Sequence, residues 1–191
     1  MILAQLRRSV VFALICLVLF GFVYALAGTG VAQVLFRHQA DGSVTADGST
    51  LIGQNWSSPK WFHGRPDDTG PYTGDNPLVA NGKSGESAAT NLGPRSKTLM
   101  ADTKQLVAYW RKMGVDDPTP DLVTTSGSGY DPDISAADAL VQIPMVSKAT
   151  GIAPARLRTL IAHENNGAEL GFLGASYIDV LQLNEALAQL H

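Results

Sequence analysis

At 191 residues, with 14 Lys and Arg against 17 Asp and Glu, the chain has no surplus of positive charge from which to build a nucleic-acid-binding face. Its one cysteine, Cys16, excludes an intramolecular disulfide. All the acids and all but two of the bases lie after residue 36, so that part carries 12 bases against 17 acids, a balance of −5 that also argues against a polybasic membrane patch.

Arg8 and Arg37 bracket a run of 28 residues, 9–36, that holds no charge and is dominated by Val, Leu, Ile, Phe and Ala. About 20 apolar residues cross a bilayer's hydrocarbon core, so this run reads as a transmembrane anchor. Arg7 and Arg8 precede it and only Arg37 follows closely. That bias favours a cytoplasmic N-terminus over 1–8 and an extracytoplasmic domain over 37–191. A cleaved signal peptide is the competing reading, with an apolar stretch at 10–24 followed by Ala25-Leu26-Ala27. The apolar run resumes with Val31, Ala32, Val34, Leu35 and Phe36, which favours an uncleaved anchor. Gly21, Gly28 and Gly30 do not fall at the GxxxG spacing of closely packed helices. Cys16, within the run, reads as a small apolar residue.

Residues 39–96 are rich in Gly, Pro, Ser, Asn and Asp, the composition of loops and short strands. Residues 50–53 fit a short strand and 64–94 a long surface loop. Leu99, Met100, Leu106, Val107, Trp110 and Met113 then mark a helix over 97–113, with Gly114 as its C-cap. Asp116-Asp117-Pro118-Thr119-Pro120 is a stiff connector, 122–125 fits a strand, and 126–129 is a Ser-Gly-Ser-Gly loop. Ser135 with Asp138 forms a capping box that opens a helix, which Pro144 should kink or interrupt. Another helix begins near Pro154 and stops before Gly167. Ser176 with Asp179 reads as a second capping box, before a helix striped by Val180, Leu183, Leu187 and Leu190. The expected fold is one N-terminal transmembrane α-helix plus one soluble α/β (α+β) domain, with helices concentrated in its C-terminal half.

Several catalytic signatures fail on a single position. Gly82-Lys83-Ser84 ends like a phosphate-binding loop, but Pro77 stands where that pattern needs Gly. His163-Glu164 opens like a zinc-protease motif, but Gly167 takes the place of the second His. Ser176 follows Gly174, yet Ile178 occupies the last Gly of GxSxG. Asn55-Trp56-Ser57 is a short glycosylation sequon. His63, Arg65 and Asp67 form a polar cluster with no nucleophile–base–orienter set around it. No catalytic residue and no metal site is expected. What remains is the stretch 125–135, with Thr125, Ser126, Gly127, Ser128, Gly129, Asp131 and Ser135 as a candidate ligand or interface loop. A Gly-Ser loop before a helix N-terminus can present backbone N–H groups to an anion, and it can equally cap the helix or form an interface.

At this loop the chain resembles the KdpC subunit family of the Kdp potassium-transporting P-type ATPase. The likeness runs in order through the apolar span, Leu51-Ile52-Gly53-Gln54, Trp61-Phe62-His63-Gly64-Arg65-Pro66, Asn91-Leu92-Gly93-Pro94 and the stretch from Asp121 to Gly129. It continues through Asp131-Pro132, Ile134-Ser135, Gly171-Phe172-Leu173-Gly174 and Val180-Leu181-Gln182-Leu183-Asn184. Tyr130, Asp133, Met145, residues 86–90 and Asp179 depart from the family's usual residues. The resemblance implies an accessory, non-pumping subunit of an ATP-driven, high-affinity potassium uptake complex in the bacterial inner membrane. Its implied partners are a channel-like potassium-binding subunit, a P-type catalytic subunit and a small single-span subunit. Two roles are implied: assembly and stabilisation, or a catalytic chaperone that raises the ATP affinity of the catalytic subunit. The chain would have no cofactor of its own, with ATP entering only through the catalytic partner. Gln54, His63, Arg65 and Asn184 join the loop as candidate interface residues. The alternatives are an anchored extracytoplasmic solute- or cation-binding module and a hydrolase using Ser126 or Ser128.

Overall fold

The computed structural model describes residues 2–54, 56–66 and 89–190. Asn55, Asp67 and the Gly82-Lys83-Ser84 motif lie outside the described residues, as does most of the loop expected over 64–94. The chain divides into two units, Met1–Val44 and Thr45–His191.

The first unit is built on α1, a continuous helix over Ile2–Leu35 with a π-helical stretch at Leu17–Val23. At 1.5 Å per residue its 34 residues reach about 50 Å, beyond the ~30 Å hydrocarbon core. None of its most apolar window is buried within the chain. Helix α1 is thus long and apolar enough to cross a membrane. One further turn, α2, follows at Arg37–Ala40.

The second unit begins its described helices with α3, Lys97–Met113. Ser96 accepts a hydrogen bond from Leu99 N at its start, and Gly114, at φ +93°, ends it. Leu106 and Trp110 are its buried residues. The chain then passes a 3₁₀ turn at Asp121–Val123, strand β1 at Asp133–Ile134, and α4 at Ala136–Thr150. Helix α5, Pro154–Glu164, starts at its proline. Strand β2, Ile178–Asp179, runs into α6, Val180–Ala188. The strands pair antiparallel, Asp133 opposite Asp179 and Ile134 opposite Ile178. Phe62, Trp110, Leu122, Ile134, Ile143, Leu157, Ile178, Leu183 and Leu187 share one core.

Four local expectations need correction. Residues 50–53 form a turn, not a strand, with Ile52 N on Ser49 O. Residues 122–125 are not a strand either. The prolines before them feed the 3₁₀ turn, and Trp110 Nε1 takes the Leu122 carbonyl at 2.8 Å. Of the kink or interruption expected at Pro144, the interruption does not occur: α4 runs through it. The carbonyl that Pro144 leaves without its N–H belongs to Leu140, and both residues are exposed, so water can serve it. The cap of α6 is Asp179 itself, which accepts from Gln182 N at 2.8 Å, rather than Ser176. The box of Ser135 and Asp138 on α4 forms as expected.

Candidate functional site: a polar scaffold behind the Gly-Ser loop

Several of the short motifs scattered through the sequence meet in one region of the second unit. Two buried side-chain amides hold the Phe62-His63 segment. From α6, Asn184 Oδ1 accepts Phe62 N at 2.8 Å while its Nδ2 donates to Phe62 O at 2.8 Å. From α4, Gln142 Oε1 accepts His63 N at 2.8 Å while its Nε2 donates to His63 O at 3.0 Å. Each amide thus acts like a neighbouring strand, satisfying backbone groups that would otherwise be buried unpaired. The His63 ring is also buried, 5.4 Å from the Trp110 ring. Its Nε2 sits 3.0 Å from Ser58 O, and since a carbonyl only accepts, Nε2 carries the proton. Burial lowers the His63 pKa to about 4, against the smaller opposing effect of the Ser58 carbonyl, so the ring is neutral near pH 7.

Arg65 extends the scaffold to the loop. Its Nη2 donates to Thr125 O at 3.1 Å and Thr124 O at 3.4 Å, and its guanidinium lies 3.7 Å from both Asp121 and Asp131 carboxylates. From the other side Gly53 N donates to Tyr130 O at 3.0 Å. A Cβ at Gly53 would stand 2.8 Å from Asp131 O, so this approach needs glycine. Gln54 turns back on its own loop, donating to Ser49 O and Ile52 O.

Inside the loop the hydroxyls serve the backbone. Ser126 Oγ accepts Gly129 N at 3.0 Å and lies 3.1 Å from Ser128 Oγ, which accepts Tyr130 N at 3.1 Å. Asp131 Oδ1 accepts Asp133 N at 3.1 Å. Asp138 Oδ2 takes both Ser135 N and Ser135 Oγ, and Thr119 Oγ1 donates to Asp138 Oδ1. The α4 N-terminus therefore already holds a carboxylate of its own chain, which offsets the positive end of the helix dipole. The hydrolase alternative gains no geometry from this arrangement. Ser126 is buried, whereas His163 is exposed and paired with Glu164 at 2.8 Å.

Beside the loop, Asp133 and Asp179 face each other across the strand pair and line a cavity of about 400 Å³ with Thr50, Leu51, Asn166, Tyr177 and Gln182. Burial first, then the Asp131 and Asp179 charges, push the Asp133 pKa up to about 6. Burial also raises Asp179, with hydrogen bonds from Gln182 and Leu181 working against it. No group of three or more His, Cys, Asp or Glu suited to a metal occurs among the described residues.

A family model described as KdpC, K+-transporting ATPase, c chain, matches residues 6–189. The chain belongs to the KdpC family. A potassium-transporting ATPase KdpC subunit of Rhodopseudomonas palustris (strain TIE-1) is 41% identical over 194 residues, covering 97% of this chain and 96% of the relative. The KdpC subunit of Methylobacterium nodulans is 40% identical over 197 residues, covering 98% of both. That of Caulobacter vibrioides is 42% identical over 193 residues, covering 97% and 93%. The chain is accordingly a KdpC subunit of the K+-transporting ATPase, with one helix, among the described residues, fit to span a membrane.

Of the residues singled out from sequence, His63, Arg65, Asn184 and residues 125–135 belong to one hydrogen-bonded system, and His63 and Asn184 are buried within it. Sequence reasoning missed Gln142, the second amide. The signal was present: Gln142 lies four residues after Asp138 and one before Ile143, a polar residue on the face of α4 that becomes core. The Asp133–Asp179 pairing was also missed, because two-residue strands show no period.

Proposed function

We propose that this KdpC chain is the non-pumping accessory subunit that assembles and stabilises the potassium-transporting complex. It is anchored by α1, with residues 1–8 in the cytoplasm and the folded second unit outside the cell membrane. The observation that carries this reading is that the motif residues spend most of their polar groups on one another, with His63 Nδ1 and Arg65 Nε buried without a partner. Ser126, Ser128, Arg65, Gln142 and Asn184 hold backbone in place rather than facing an open pocket. Such a network gives a rigid body suited to docking. The acidic balance of the residues beyond 36, 17 acids to 12 bases, is a further argument against a nucleotide site there. The partners in this reading are the channel-like potassium-binding subunit, the P-type catalytic subunit and the small single-span subunit. ATP reaches the complex through the catalytic subunit.

The test is to delete the chain and purify the remaining subunits. Loss of the assembled complex is the expected result. An intact complex that merely requires more ATP for half-maximal hydrolysis would replace this reading with that of a catalytic chaperone.

A further inference from the structure

Residues 168–174 take no part in the polar scaffold. Their backbone bonds to itself: Glu169 N donates to Leu173 O and Leu173 N to Glu169 O, both at 2.9 Å, and Gly171 N donates to Ala168 O at 2.9 Å. A second bridge, Asn166 with Tyr177, closes the base. Leu170 has φ +53°, a left-handed conformation that a leucine rarely adopts, and Gly171 and Gly174 follow at +81° and +80°. The turn thereby puts apolar side chains outward. Leu170 is 82% exposed, Phe172 75% and Leu173 50%. Three large apolar side chains within four residues, on a self-bonded backbone, make a preformed knob. A strained backbone position that persists at such a place points to a functional constraint.

The charge on the knob selects what it fits. Between 159 and 178 the chain carries only Glu164 and Glu169 as acids and no Lys or Arg. Glu169 is exposed on the knob itself. Anionic lipid headgroups would be repelled by this region. A symmetric contact between two copies would bring like charges together. An apolar cleft on another protein, rimmed by Lys or Arg, meets neither obstacle and gains from the complementary charge. We infer that residues 168–174 are a docking knob for an apolar, basic-rimmed cleft on another subunit of the potassium-transporting ATPase. The inference rests on the accessory-subunit reading and adds the surface through which it acts.

The test uses the assembled, full-length complex. A photoreactive benzoyl-phenylalanine replaces Phe172 in one preparation and Val18 of the span in another. The expected result is an adduct between position 172 and another subunit, weakened by Glu169→Lys. In parallel, Phe172→Ser and, as a second exposed-site variant, Leu170→Asn should each lower retention of the chain in the complex about tenfold, the scale of a single interface anchor. Their unfolding midpoints should stay at the wild-type value. Adducts from position 172 to lipid or to a second copy, or none, would overturn the knob. If position 18 still cross-linked to other subunits, the accessory-subunit reading would survive that failure. Absence of adducts from both positions, with no co-purification, would overturn both.

Discussion

Two glycine-containing turns of the folded unit use their side chains in opposite directions. In residues 124–135 the Ser126 and Ser128 hydroxyls and the Asp131 carboxylate are spent on their own backbone and on Arg65. In residues 168–174 the backbone satisfies itself and the large apolar side chains stand in water. The first turn has the composition of a ligand site, yet the hydrogen bonds of Thr125, Ser126 and Ser128 run to its own backbone and to Arg65. The second carries a single charge, Glu169, and exposes Leu170, Phe172 and Leu173. Residue type alone leaves the two turns open, and the destination of each hydrogen bond separates them.

The comparison is broken most strongly at the amides behind the inward turn. Asn184→Leu should strand buried Phe62 N and O and cost about 2–5 kcal/mol, read from denaturant unfolding of the full chain in detergent. Gln142→Leu should behave alike at His63. Gly53→Ala comes next, since its Cβ would press on Asp131 O; about 1–3 kcal/mol is expected, the cost of overpacking.

A smaller effect depends on pH. The folded-state pKa of Asp133, about 6, lies above its ordinary 3.8, so the folded chain binds a proton that the unfolded chain binds only at lower pH. Its contribution is most unfavourable above pH 6 and is relieved as pH falls from about 6 toward 3.8. Asp133→Asn should therefore raise the unfolding midpoint relative to wild type at pH 7.5. That advantage should shrink at pH 5, and an advantage that grew on acidification would refute the assignment. The smallest effect is expected at the outward turn, where Phe172→Ser should change stability by no more than about 0.5 kcal/mol.

Much of the fold was legible in the sequence where caps and period agree. Helix α3 was readable at both ends, because Leu106 and Trp110 share a face and Gly114 supplies the left-handed stop. Helices α4 and α5 announced themselves through Ser135 with Asp138 and through Pro154. The apolar span was legible from length alone. What failed was short and tertiary. Val123, Thr124 and Thr125 favour a strand, yet the preceding prolines and the Trp110 indole impose a turn. Ser176 looked like a cap, but Ile178-Asp179 pairs with β1 and delays the helix. In the scaffold, Arg65 and Asn184 could be named from the resemblance. That Asn184 and Gln142 grip adjacent residues required both helices in place.

The decisive experiment asks on which side of the membrane the second unit sits. Asp116 is exposed, so Asp116→Cys in a Cys16→Ser background supplies one reporter thiol in the full chain. Labelling of intact cells by an impermeant thiol reagent is the predicted result, placing the unit outside, away from cytoplasmic ATP. Labelling only after permeabilisation would contradict the account and put the folded unit on the nucleotide side.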